Sequence, residues 1–259
     1  RVVALGDSLT QGVGAQQDKG GYTQRLKTKI HQHDKVKVIM HNYGKSGDRS
    51  DQIEKRLVDS KTMQRQVEKS QAIVMTVGGN DLLQTLTKNV TINQQSKLNT
   101  QLDGAQATYQ KKLKSLLNTV RKYNPTAPIF LYTIYNPVYV YFANIDQVTN
   151  AVDGWNATTT KTAKSYKNLY MVDISRALSV GQFKSATQQA KLKRTSQDVN
   201  NGKISTKTFQ ETILASDASD ELNDYLSPVD HFHPNAKGYR LMTRYVFKEM
   251  QAHEQWLLK

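Results

Sequence analysis

Four short polar turns carry the residue types that acyl transfer needs. Gly6-Asp7-Ser8-Leu9 supplies a hydroxyl, and a serine Oγ becomes a good nucleophile only when a neighbouring base takes its proton. Asp230-His231-Phe232-His233-Pro234 supplies that base. An aspartate three residues before a histidine can hold the imidazole in one tautomer from within the same loop, which makes His233 the expected base and Asp230 its orienting partner. The run Asn42-Tyr43-Gly44-Lys45-Ser46-Gly47-Asp48 offers glycine N–H groups that can approach a ligand closely. Gly78-Gly79-Asn80-Asp81 adds a side-chain amide donor. Each turn alone also has a plain structural reading: Ser8 or Asn80 as a helix cap, the glycine run as an ordinary βα turn, the Asp/His pair as surface polarity.

The elements around these turns decide between the two readings. Short apolar runs at Val2–Leu5, Val36–His41, Ala72–Val77, Pro128–Thr133 and Leu169–Val172 are apolar nearly throughout, as strands covered on both faces are. Helical spacing lies between them. Leu26 and Ile30 sit four apart in 21–33, and Tyr109, Leu113, Leu116, Leu117 and Val120 recur at three- and four-residue steps in 108–122. Asn235 is placed to cap a closing helix whose apolar face holds Leu241, Met242, Tyr245, Val246 and Met250. Alternating β and α elements predict a parallel sheet with helices on both faces. Ligands bind such sheets at the carboxyl ends of the strands, and three of the four turns directly follow the first three strands. The stretch 136–227 is different: it holds one strand and is otherwise rich in Gln, Ser, Thr, Asn and Lys.

The chain has 259 residues, enough to bury a substantial core. Cysteine is absent, which excludes a disulfide scaffold, a thiol nucleophile and Cys-based metal centres. No apolar run approaches the roughly 18–20 residues that span a bilayer. The net charge is +14, with +15 over residues 1–200 and −1 over the remainder. No block of five or six consecutive Lys/Arg occurs, so no specific nucleic-acid partner is expected. The diffuse charge instead suits a solvated surface or attraction to an anionic membrane or cell-wall polymer. The chain opens on Arg1-Val2-Val3-Ala4-Leu5 without an initiator Met. The missing cysteines and the basic surface lead us to expect an extracytoplasmic bacterial protein, secreted or membrane-anchored, and a removed signal or anchor segment is one explanation of the missing Met.

Other motifs fail on inspection. Gly44-Lys45-Ser46 lacks the upstream glycine of a phosphate loop, whose place Ile39 takes. Gly12-Val13-Gly14 lacks the third glycine of a dinucleotide fingerprint. Asn201-Gly202-Lys203-Ile204 has no carboxylates at the ligand positions of a calcium loop. Neither Gly-x-Ser-x-Gly nor His-Glu-x-x-His occurs.

The combination of Gly6-Asp7-Ser8-Leu9, Ser46-Gly47-Asp48, Gly79-Asn80-Asp81 and Asp230-x-x-His233-Pro234, in this order and on these strand ends, resembles the SGNH (GDSL) hydrolase family. The resemblance covers about 1–136 and 228–250, and the tract looks like the bacterial extracytoplasmic lipase/acylhydrolase branch. It implies an α/β fold: a flavodoxin-like three-layer α/β/α sandwich around a five-stranded parallel sheet. The chain is then read as one domain over 1–259, enlarged by a largely helical insertion at about 137–227. The implied activity is that of a serine esterase or lipase-like acylhydrolase, acting on small-molecule or lipid esters through an acyl-enzyme, with no metal or cofactor. In the family pattern Ser8, His233 and Asp230 are catalytic, and the backbone N–H groups of Ser8 and Gly47 with the Asn80 amide form the oxyanion hole. His231 is a competing base with the wrong spacing from Asp230 for that pattern. Asp7 and Asp81 are expected to fix loops through hydrogen bonds. Tyr135, Tyr139, Tyr141 and Phe142, just after the fourth strand, are read either as an acyl-binding wall or as packing under the insertion. Two alternatives stand beside the esterase: an O-deacetylase of a cell-wall polysaccharide, and a non-catalytic module binding an anionic polymer.

Overall fold

Four apolar runs and one mixed run, Met40-His41-Asn42-Tyr43-Gly44, pair side by side. The computed structural model of the protein describes residues 1–15, 20–89, 95–200 and 221–257. Its strands are β1 (Val2–Gly6), β2 (Met40–Gly44), β3 (Ala72–Thr76), β4 (Ile129–Tyr132) and β5 (Leu169–Val172), in the order β2-β1-β3-β4-β5. Every pairing is parallel. Strand side chains alternate between two cores. Val3, Leu5, Ile73, Met75, Ile129 and Leu131 pack on one face against α3 (Ser50–Asp59), α4 (Lys61–Glu68), α6 (Gln95–Tyr123) and α7 (Asp146–Ala163). Val2, Val74, Phe130, Tyr132 and Val172 pack on the other against α2 (Tyr22–Asp34), α8 (Ser175–Val180) and the closing helix α10 (Ala236–Ala252). The result is the expected three-layer α/β/α sandwich.

The helices follow from local rules. In α2, Tyr22, Leu26 and Ile30 are buried at four-residue steps, one stripe of a 3.6-residue period. Asn235 caps α10, its side chain accepting from Lys237 N at 2.8 Å and Gly238 N at 3.1 Å.

Two boundaries differ from the sequence reading. The second strand is Met40–Gly44 rather than 36–41. Val36 and Ile39 are among the exposed large hydrophobic residues, because β1 pairs from Val2 opposite Met40 and uses the carbonyl of Ile39 only as a terminal acceptor. An edge strand is held by its ladder and needs little apolar cover. The helix expected at 108–122 runs from Gln95, and its added N-terminal half is polar, which apolar periodicity does not register.

Within 137–227, α7 and β5 are layers of the sandwich: Trp155 of α7 is buried in the first core and Val172 in the second. The helices α8 and α9 (Ala186–Asn200) follow. Residues 201–220, including Asn201-Gly202-Lys203-Ile204, lie outside the described residues. Among the described residues no helix is long and apolar enough to cross a membrane.

Candidate active site

The site forms at the carboxyl edge of the sheet, where β1, β2 and β3 end in their polar turns. β1 leads into α1 (Ser8–Gln11), a single turn capped by Asp7, whose Oδ1 accepts from Leu9 N at 3.0 Å. Asp7, and not Ser8, is therefore the cap. Thr76 at the end of β3 donates to the same oxygen at 2.7 Å. Burial pushes the Asp7 carboxyl above the usual range despite these donors. Ser8 is left with its hydroxyl directed at His233: Nε2 lies 2.8 Å from Ser8 Oγ.

The other face of the imidazole meets Asp230, with Nδ1 2.6 Å from Oδ2. The loop holds both partners in place. Asp230 Oδ1 accepts from Phe232 N at 3.1 Å and His233 N at 3.0 Å. Burial alone would raise the Asp230 carboxyl, but the imidazole and the two backbone donors outweigh it and hold the group below the usual carboxylate range. A carboxylate on Nδ1 fixes the proton there and leaves Nε2 to accept from the serine hydroxyl. Across from His233, Gly14 has φ +81°, and a Cβ there would run into Pro234 O and His233 Cβ. Only a glycine lets the chain pass this close to the loop.

The backbone N–H groups of Ser8 and Gly47 make no hydrogen bond among the described residues. The first N–H groups of a helix have no intrahelical acceptor, which accounts for Ser8. Gly47 turns with φ +82°, the left-handed region that glycine enters without penalty. Asn80 Nδ2 donates to Asp48 O at 2.9 Å, which ties the amide to the Gly47 turn. Asn80 thus bridges two strand ends. The turn is braced from below by Arg56, whose guanidinium pairs with buried Asp48 at 2.5 Å and donates to Tyr43 O and Gly6 O. Asp81 holds the neighbouring helix start by accepting from Ser50 N and Oγ.

The candidate acyl wall separates into parts. Tyr135 lines a small hollow beside the serine together with Ser8, Asn80, Thr133, Ile134 and Phe232, and its OH donates to Phe232 O at 2.6 Å. Tyr139 and Phe142 lie elsewhere. Tyr139 is buried with Val140, Ala143 and Val180, and Phe142 with Val138, Ile145 and Val148. They pack under 137–227, the second of the two readings of this cluster. Tyr141 donates to Glu221 Oε1 at 3.0 Å and lies 3.2 Å from His231 Nδ1. His231 turns its Nδ1 to Glu221 Oε2 at 2.5 Å, so this nitrogen serves a second histidine–carboxylate pair rather than Ser8.

Thr76, Arg56 and Glu221 were not singled out from sequence. Thr76 is the one polar residue in the buried run 72–77, a usable signal. Arg56 and Glu221 stand in polar surroundings that do not distinguish them. Among the described residues no cluster of His, Cys, Asp or Glu has the arrangement of a metal site.

A parallel three-layer sandwich with a serine, a histidine and a carboxylate in line at its carboxyl edge is the arrangement expected of an SGNH hydrolase. The chain belongs to the GDSL-like lipase/acylhydrolase family, whose family model matches residues 4–241. It is accordingly a carboxylic ester hydrolase. Among curated proteins it is 27% identical to the uncharacterized protein YpmR of Bacillus subtilis over 254 residues, covering 96% of this chain and 81% of that one. It is 32% identical to the spore germination lipase LipC of Bacillus licheniformis over 157 residues, 59% of this chain and 70% of that one. Of solved structures, the lipase Lip_vut3 from a goat rumen metagenome superposes with TM-score 0.64 at 23% identity, covering 95% of each chain. A variant of the acetyl xylan esterase Axe2 from Geobacillus stearothermophilus superposes with TM-score 0.56 at 17% identity, covering 96% of this chain and 93% of that one. These two likenesses concern the fold.

Proposed function

We propose that the protein hydrolyses carboxylic esters with short acyl groups through a Ser8 acyl-enzyme. One observation carries this reading: the His233 ring reaches Ser8 Oγ at 2.8 Å and Asp230 Oδ2 at 2.6 Å with its two nitrogens. In the proposed reaction Ser8 Oγ attacks the ester carbonyl as its proton passes to His233 Nε2. Asp230 stabilises the imidazolium, and the Ser8 and Gly47 N–H groups with the Asn80 amide receive the developing oxyanion. The tetrahedral intermediate expels the alcohol, which takes the proton from His233. Water then attacks the acyl-enzyme with His233 again as base, releasing the carboxylic acid and restoring the Ser8 hydroxyl.

The hollow beside Ser8 supports the preference for short acyl groups. Its volume is about 40 Å³, a few times the roughly 10–15 Å³ needed for one water, so it suits a few heavy atoms. The same smallness favours a second reading, in which the ester is an acetyl group on a cell-wall glycan. The diffuse +14 charge suits work at an anionic membrane or wall outside the cytoplasm.

The test is hydrolysis of p-nitrophenyl acetate, butyrate and octanoate, and of an acetylated glycan, by wild type and by Ser8→Ala. The expected result is a rate falling with acyl length and a loss of more than about 10³-fold in the variant. Equal inactivity of both proteins on every substrate, with tight salt-sensitive binding of an anionic polymer, would replace the esterase with a non-catalytic binding module.

A further inference from the structure

The two helices on the α10 face of the sheet meet along a strongly basic groove. Arg25 and Lys29 of α2 face Lys237, Arg240 and Arg244 of α10 across it, and no carboxylate is among the described residues that line it. At one end Asp224 lies 3.4 Å from Lys237, both side chains being exposed. Lys237 has Asp224 as a counter-charge at that end, while Arg25, Lys29, Arg240 and Arg244 converge along the rest of the groove and repel one another. Arg25 Nε donates to Gly20 O at 3.2 Å, whereas its Nη2 is shielded from water and has no hydrogen-bond partner. Burial first, and the charge of Arg240 second, pull the Arg25 guanidinium below its ordinary range. Even so, a guanidinium stays charged in proteins.

One water-shielded N–H group without a partner, on a guanidinium that is otherwise only partly buried, is uncommon and calls for an explanation. The other groove residues are preset for one. The ammonium of Lys29 rests over the Phe247 ring, 4.9 Å from its centroid, and Thr28 and Gln24 add neutral polar groups to the α2 wall. Two guanidinium groups side by side present forked N–H donors that match the oxygens of a phosphate two at a time.

We propose that the α2/α10 groove binds a phosphate-type oxyanion, gripped by Arg25 and Arg240 with Lys237 and Arg244 at its ends. A free phosphate and the headgroup of an anionic phospholipid share this chemistry. Either would lie close to the catalytic loop, since Lys237 stands one turn beyond His233 in the chain. The groove is thus a local feature inside a charge that is otherwise diffuse, and it stands independently of the esterase reading.

The experiment measures binding of inorganic phosphate by calorimetry, and co-sedimentation with vesicles of phosphatidylglycerol in phosphatidylcholine. It compares wild type, Arg25→Gln/Arg240→Gln, the single exposed-site variant Arg240→Gln, and a charge-matched control, Lys114→Gln/Lys122→Gln, on α6 in the opposite layer. Wild type and the control are expected to bind at least one probe. The double variant should bind it roughly thirtyfold more weakly, about 2 kcal/mol for two charges, and Arg240→Gln should fall between. Hydrolysis of a soluble short ester should be unchanged in Arg240→Gln. Binding of phosphate without vesicles assigns the site to a free anion, and binding of vesicles assigns it to a headgroup. Loss of binding in the control as large as in the double variant would overturn the proposal, since the effect would then be net charge alone. Failure of wild type to bind either probe would overturn it as well.

Discussion

His233 Nε2 lies 2.8 Å from Ser8 Oγ although 225 residues separate them in the chain. Both are held at the sheet edge by neighbours rather than by each other. Asp7 fixes the Ser8 turn to Thr76 of β3. Asn235, two residues after His233, caps α10 and donates to Leu226 O at 2.6 Å. The pair is therefore preorganised by packing of α10 onto the sheet.

Asp230→Asn keeps the shape of the loop but removes the charge facing Nδ1. An amide there can donate to the imidazole and so favours the wrong tautomer, with the proton on Nε2. The expected outcome is a fall of about 10³–10⁴-fold in kcat with the fold retained, checked by steady-state kinetics beside a circular dichroism melt. A loss of less than tenfold would mean that Asp230 does not orient the base.

Asn80→Ala removes the amide from the turn that carries Gly47. If that amide receives the oxyanion, kcat should drop about 10²–10³-fold with KM nearly unchanged, because the donor acts on charge that develops only in the transition state. A rise in KM at constant kcat would instead place Asn80 in ground-state binding.

The sheet, its two cores and the four polar turns were legible in sequence because each depends on local pattern: continuous apolar strands, four-residue spacing in α2, and glycine where the chain turns sharply. What escaped reading depends on tertiary context. The offset of β2 arises because Met40, rather than Val36, pairs with Val2, and a ladder leaves no mark in hydropathy. Arg56 braces the Gly47 turn by reaching three partners on β1, β2 and the turn, which no spacing reveals. The aromatic residues after β4 read as one group in sequence, and their division among a hollow, two packing clusters and a polar contact depends on the backbone path.

That division predicts different outcomes for two aromatic truncations. Tyr135→Ala enlarges the hollow beside Ser8, and activity should shift toward longer acyl chains on a p-nitrophenyl ester panel. Phe142→Ala empties a packed cluster remote from the hollow and should cost about 3–5 kcal/mol of stability while leaving the acyl-length profile unchanged. A reversed pattern would return Phe142 to the acyl wall.

Glu221→Gln tests the second histidine–carboxylate pair. Glu221 accepts from Tyr141 and Asn223 N and faces His231, which has φ +50°, a backbone region costly for a residue with a Cβ. Glu221 therefore ties His231, and with it the loop that carries Asp230 and His233, to Tyr141. The variant should lower kcat by about tenfold, consistent with loosened catalytic geometry, without moving the acyl-length profile. Unchanged kinetics with a lowered Tm would make the pair purely structural.

Asp7 makes a prediction about pH that differs in sign from that of Asp230. Burial raises the Asp7 carboxyl in the folded protein above its ordinary value of 3.8. Between that value and the raised one, the native state holds a proton that the unfolded state has released, so this group makes stability fall as pH rises through that window. Asp230 is held low in the fold, so its contribution is present above the ordinary carboxylate value and is lost as pH falls through the lowered one. Asp7→Asn preserves the cap, because an asparagine oxygen can still accept from Leu9 N and Thr76 Oγ1, and it abolishes the titration. Melts from about pH 3 to pH 8 should show the variant and wild type closest at the acid end, with the variant gaining relative stability as pH rises and levelling off once Asp7 is fully ionised in wild type. A Tm difference constant across the range would show that Asp7 does not change its proton affinity on folding. A difference that grew toward acid pH would require its carboxyl to be stabilised as the anion, with Thr76 and Leu9 outweighing burial.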